Sequence, residues 1–100
     1  MLAQRLIHYK KRIAADLFKE IKVWRLPAPV HGSAHCYKYS LALIANGRCV
    51  LRYDNERGKG DHAHVGSQET PLVWTDLAAL LDDFDRAIQR WRQHHGNPDD

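Results

Sequence analysis

Asn46-Gly47 constrains this chain more than any other pair of residues. A two-residue hairpin of type I′ needs positive φ at both central positions, and Asn-Gly supplies them at least cost. The runs on either side, Tyr37–Ile44 and Cys49–Asp54, are rich in β-branched and aromatic residues, as strands are. An antiparallel hairpin is therefore expected here. Its register pairs Cys49 with Ile44, Arg52 with Leu41 and Asp54 with Tyr39. Leu51 and Tyr53 then point the other way, with Ala42 and Ser40, and are expected in the core.

The same register disposes of a disulfide between Cys36 and Cys49, the two cysteines of the chain. Cys36 falls eight residues along the strand from the partner of Cys49, roughly 26 Å at ~3.3 Å per residue. Bridged cysteines have Cα atoms within about 7 Å. Free thiols follow, as does a reducing, cytoplasmic setting. No run nears the ~18 apolar residues that span a bilayer, and no leader pattern opens the chain, so no membrane partner is expected. One hundred residues suit a single domain with one core.

The helix is equally plain. Leu77, Leu80, Leu81, Phe84, Ile88 and Trp91 fall on one 3.6-residue stripe. Thr75 is placed as the N-cap, acids gather early, Arg86, Arg90, Arg92 and His94 come late, and Gly96 is the stop. The helix is set at about 76–94, within a C-terminal segment 75–96. Upstream, Phe18-Lys19-Glu20-Ile21-Lys22-Val23-Trp24 alternates as a strand and ends before Pro27 and Pro29. Leu2, Leu6, Tyr9, Ile13 and Leu17 would allow a helix over the first residues. Lys10-Lys11-Arg12 sits poorly on a buried helical face, so Arg5–Ile13 is assigned to a strand that turns at Ala14-Ala15-Asp16. His62–Val65 and Leu72–Trp74 are short strand candidates. The fold class is α+β: residues 1–74 form a curled antiparallel meander of four to five strands, with one C-terminal amphipathic helix packed across it.

Net charge is only +3, from 15 basic and 12 acidic residues, but it is unevenly spread. Residues 1–60 carry +8 and residues 61–100 carry −5. Such a division points to a polyanion-facing sheet and a helix that faces something else.

Chemistry concentrates in Arg52-Tyr53-Asp54-Asn55-Glu56-Arg57-Gly58-Lys59-Gly60-Asp61-His62-Ala63-His64. Three functional readings stand beside a bland one. Gly58-Lys59-Gly60 could offer backbone amides to a phosphate, with Lys59, Arg52 or Arg57 as counter-charges. It is no Walker loop, because Tyr53 stands five residues before Gly58 and Gly60 replaces the Ser or Thr after the lysine. Alternatively, His62 and His64 on one face of a strand could exchange protons with an RNA phosphodiester, with Arg52 or Lys59 stabilising the charge. Third and weakest, the two histidines could ligate zinc, with a further ligand from His35, Cys36, Asp61 or Asp54, none at a telling spacing. The bland reading is a turn rich in Asp, Asn and Gly with solvated histidines. Tyr37 and Tyr39 could stack on bases, although strand aromatics more often pack.

Trp24-Arg25-Leu26-Pro27, His35-Cys36-Tyr37-Lys38-Tyr39 and Leu51–His64, followed by the terminal amphipathic helix, resemble the TumE-type toxins of prokaryotic type II toxin–antitoxin modules. The likeness runs from about Leu6 to Trp91. It implies a partner, a small DNA-binding antitoxin of the winged-helix or helix-turn-helix type. Relatives of this kind place a glycine in the first turn, where this chain has Ala14-Ala15-Asp16. Taken with the chemistry above, the expectation is a toxin that cleaves RNA without metal or other cofactor. His62, His64, Arg52 and Lys59 are the expected catalytic residues; Tyr39, Lys38, Arg57, Asp54, Gly58 and Gly60 are expected against the substrate. The alternative is a toxin that binds nucleic acid without turnover, or a co-repressor acting with the antitoxin. The acidic helix is left for the antitoxin or a second copy of the chain.

Overall fold

The computed structural model describes residues 3–95; the expected stop at Gly96 and the contribution of Leu2 lie outside them. Six antiparallel strands follow in order: β1 (Gln4–Ala14), β2 (Leu17–Arg25), β3 (Tyr37–Ala45), β4 (Arg48–Glu56), β5 (Gly60–Val65) and β6 (Gln68–Pro71). Each pairs with the next, so the sheet is a curled, open meander, and helix α1 (Leu77–His95) packs against one face. The α+β class holds, with one strand more than expected. The extra strand is β6, which ends at Pro71; Leu72–Trp74 is not a strand.

The first residues are strand, as the basic run requires. Asp16 takes the left-handed turn position (φ 56°) where a glycine was expected of relatives, a role that Asp tolerates better than most residues. Asn46 (φ 52°) and Gly47 (φ 79°) make the β3–β4 turn. Asp76, not Thr75, caps the helix: its Oδ1 accepts the Ala79 amide at 2.8 Å, satisfying one of the free N–H groups of the first turn.

The β3–β4 register corrects the sequence in a way that matters for the site. Near the turn Ile44 faces Cys49, as expected, but Leu43 faces Leu51, so Val50 is an extra residue in β4. Such a bulge shifts every later partner by one. Arg52 faces Ala42 and Asp54 faces Ser40, not Leu41 and Tyr39. Leu51 and Tyr53 therefore join Leu41 and Leu43 on the helix side, where all four are buried. Arg52 and Asp54 turn to the opposite face.

The core lies between the sheet and α1. Leu17, Ile21, Val23, Tyr39, Leu41, Leu43 and Tyr53 meet Leu80, Phe84, Ala87 and Ile88. Phe84 is fully buried and meets Tyr53 edge-on at 5.1 Å between ring centres; burial of such a ring is worth about 2–3 kcal/mol. At the rim, Lys19 pairs with Asp85 at 2.9 Å, and the Tyr53 hydroxyl donates to Asp83 at 3.0 Å. Burial first, then the Asp83 carboxylate, push the Tyr53 hydroxyl up to about 12 from its usual 10.0. A raised folded-state value stabilises the fold below pH 10, and that stability is lost as the pH climbs toward about 12. Denaturant titrations between pH 8 and 12 should show this fall, and Tyr53→Phe should flatten it; an unchanged slope in the variant would disprove the coupling.

Candidate functional site

The site grows from the β4–β5 hairpin. Lys59 N–H donates to Glu56 O at 3.1 Å, closing a β-turn with Gly58 (φ 85°) at its third position, where positive φ favours glycine. Glu56 then pairs with Gly60, Asp54 with His62 and Arg52 with His64. Because partners share a face, Asp-x-Glu on β4 and His-x-His on β5 meet on the side away from the helix. Along the same face the register sets Lys22, His8 and Lys10 from β2 and β1. Lys10 lies over the Phe18 ring, 4.8 Å from its centre. Glu20 stands on the same face, 3.7 Å from Lys22, and Arg52 of β4 lies on it beside a carboxylate–histidine cluster.

Within the cluster, His62 is buried and its Nδ1 lies 2.9 Å from Gly60 O. A carbonyl oxygen can only accept, so Nδ1 is the nitrogen that donates here. His62 Nε2 stands 2.8 Å from Asp54 Oδ1, 3.8 Å from Glu69 Oε1 and 3.9 Å from Glu56 Oε1. His64 Nε2 is 4.0 Å from the same Asp54 oxygen, and the two imidazoles meet edge to face at 4.7 Å. Despite its closeness, the His62–Asp54 contact is out of line for a hydrogen bond, and both atoms are buried without a partner.

A second polar network braces the hairpin from the helix side. Asn55, fully buried, accepts the Tyr39 amide on Oδ1 (3.0 Å) and donates from Nδ2 to Tyr37 O (2.7 Å) and Ser33 Oγ (3.3 Å). Asp61 Oδ1 accepts from the Tyr39 hydroxyl and from His35 Nε2, both at 2.9 Å. Burial, then this bond, holds the Tyr39 hydroxyl well above its ordinary range. The His35 ring stacks on Trp74 at 3.6 Å between centres.

The loop after β2 docks on the turn. Gly58 N–H donates to His31 O at 2.7 Å. A Cβ on Gly60 (φ 76°) would lie 2.6 Å from Gly32 O. Gly60→Ala therefore combines left-handed strain with a backbone clash and should cost about 2–4 kcal/mol. Gly58→Ala meets open space and should cost only about 1 kcal/mol, for its φ. Thermal melts of the two variants check the order; equal losses would show that the Gly32 contact is slack.

The structure redistributes the expected site residues. His62, His64 and Asp54 converge, and Arg52 is set across from His64 in the ladder. Lys59 stands on the exposed turn, 3.5 Å from Glu69, and Arg57 is exposed beside it. Lys38 donates from Nζ to the Asn55 carbonyl. Gly58 and Lys59 spend their amides on His31 and Glu56, so the turn does not present those two donors to an anion. Tyr39 is completely buried and cannot stack on a base. His62 cannot exchange protons with a substrate as it stands, since both ring nitrogens face protein oxygens in the interior. Glu56 was missed in the sequence, as was the bracing by Asn55. A signal was present: reflecting the chain about Gly58 superimposes Asp54-x-Glu56 on Gly60-x-His62 and sets Arg52 against His64.

These features define a class, a small α+β protein whose outer sheet face carries a half-open cluster of carboxylates and imidazoles. Within that class the chain can be placed. Residues 3–92 match the family model described as Toxin TumE, and the chain belongs to that toxin family. No curated protein and no solved structure matches it. Membership implies a cognate antitoxin in general terms. No helix among the described residues is long and apolar enough to cross a membrane.

Proposed function

We propose that this toxin acts in the cytoplasm on RNA, as an endoribonuclease that cuts at the Asp54–His62–His64 cluster. The observation that carries the reading is the placement of Arg52. It is exposed, lies directly across from His64, and has no side-chain partner among the described residues. A guanidinium so placed can hold a phosphate bidentately beside an imidazole. Lys59 is available as a second counter-charge, because an exposed lysine–carboxylate pair holds it only weakly. The cationic residues of β1 and β2 offer the rest of the strand a track along the sheet.

His64 is the half-exposed ring of the pair and takes the part at the substrate. His62 fixes the inner wall. An antitoxin of the helix-turn-helix or winged-helix type would oppose the toxin. The surface offered to it is the solvent face of α1, which carries three Asp and three Arg and so is mixed in charge rather than acidic as expected.

The test is direct. Induced expression should arrest growth, and the purified chain should cut single-stranded RNA with turnover. Salt-sensitive RNA binding without any cut would replace this reading with that of a toxin that only binds. Neither binding nor cutting would remove RNA as the target.

A further inference from the structure

We infer that Asp54, Glu56, His62 and His64 form a binding site for one divalent transition-metal ion. One ligand atom from each residue lies within 4.8 Å of the other three. Buried polar atoms are normally satisfied, yet Asp54 Oδ1 and His62 Nε2 are not, in residues only 8% and 3% exposed. They sit 2.8 Å apart. An imidazolium donating to the carboxylate would explain the closeness, but its N–H would have to point at Oδ1, and it does not. A cation between them satisfies both at once. With ligands at ~2.1 Å, neighbours around an octahedral ion are ~3.0 Å apart and opposite ligands ~4.2 Å. The observed 2.8, 3.9 and 4.0 Å separations, within an overall limit of 4.8 Å, call for Glu56 and His64, the two more exposed members, to close on the other two.

The surroundings suit the role. Gly60 O fixes the His62 tautomer through Nδ1, as the outer hydrogen bond of a metal-bound histidine ordinarily does. Two imidazoles with two carboxylates favour Mn²⁺, Co²⁺ or Zn²⁺ over Mg²⁺ or Ca²⁺, which prefer oxygen alone. Glu56 and His64 face solvent, so an ion can enter and keep open positions. The sequence could not rank this reading higher, because Asp54 and Glu56 are brought to the histidines only by the β4–β5 register.

This site stands on its own geometry and does not depend on the RNA reading. Equilibrium dialysis of the folded chain against Mn²⁺ or Zn²⁺, followed by elemental analysis, should find one equivalent bound. Excess Mg²⁺ should not displace it. Glu56→Gln and His64→Ala alter the outer ligands without opening the core, and each should weaken binding at least tenfold while circular dichroism stays unchanged. Asp54→Asn should abolish it if that variant folds. No stoichiometric binding, or binding indifferent to Glu56→Gln and His64→Ala, overturns the site. A chain that binds metal yet leaves RNA intact would spare the site and overturn only the nuclease. RNA cut at full rate by a chain that binds no metal would do the reverse.

Discussion

Asn55→Ala should cost about 3–5 kcal/mol, enough to leave much of the population unfolded if total stability lies in the usual range of roughly 5–15 kcal/mol. The β3–β4 ladder ends at Ser40 and Asp54. Beyond that point the Asn55 side chain behaves as a piece of strand, accepting the Tyr39 N–H and donating to the Tyr37 carbonyl. Alanine leaves both backbone groups buried and unpaired, at about 1–3 kcal/mol each, and opens a small void. Asn55 also sits between Asp54 and Glu56, so loosening it frees the strand end that carries both carboxylates. Urea titration checks the figure. A loss under about 1 kcal/mol would show that water can replace the amide and that the splice is dispensable.

His64→Ala should lower RNA cleavage by roughly 10²–10⁴-fold, the usual worth of a positioned proton-transfer group, while costing little stability. The ring is about one-third exposed, lies opposite Arg52, and is the member of the pair with access to a bound phosphodiester. Both duties open to it, passing a proton and helping to hold a cation beside Asp54, end with its removal. His94→Ala, at the far end of the exposed helix surface, is the matched control and should cut at the normal rate. A His64→Ala chain that cuts as fast as its parent would move the chemistry elsewhere.

How far the sequence led can be judged strand by strand. The helix stripe, the Asn46-Gly47 turn and the strand character of Arg5–Ile13 were legible because each is a local matter of periodicity, turn chemistry or charge. The cap went to Asp76 instead of Thr75 because both are good capping residues and only backbone geometry separates them. β6 was missed because Gln68-Glu69-Thr70-Pro71 has no apolar alternation: the strand is exposed throughout, with nothing to bury. The His62/His64 pairing was foreseen in outline, since i and i+2 share a strand face wherever the strand sits. Their carboxylate partners were not, because those depend on which turn joins β4 to β5. Tyr39 was misjudged for the same kind of reason: a single unforeseen residue in β4 separates it from the face on which Arg52 and Asp54 lie.

That residue, Val50, has a consequence for the length of the chain. Its side chain is half-buried against the core and could be exchanged for another of similar bulk at little cost. Removing the residue altogether leaves the same partners: Cys49 still faces Ile44 and Leu51 still faces Leu43, so the ladder becomes regular and Arg52 and Asp54 keep their face. What Val50 must not do is join the pairing. A regular ladder with every residue kept would turn Arg52 and Asp54 toward Leu41 and Tyr39 and leave Leu51 and Tyr53 facing water. The protein should therefore accept both substitution and deletion at position 50. What this position contributes is a spare residue held out of the ladder, and holding it out decides on which side of the sheet the charged residues emerge.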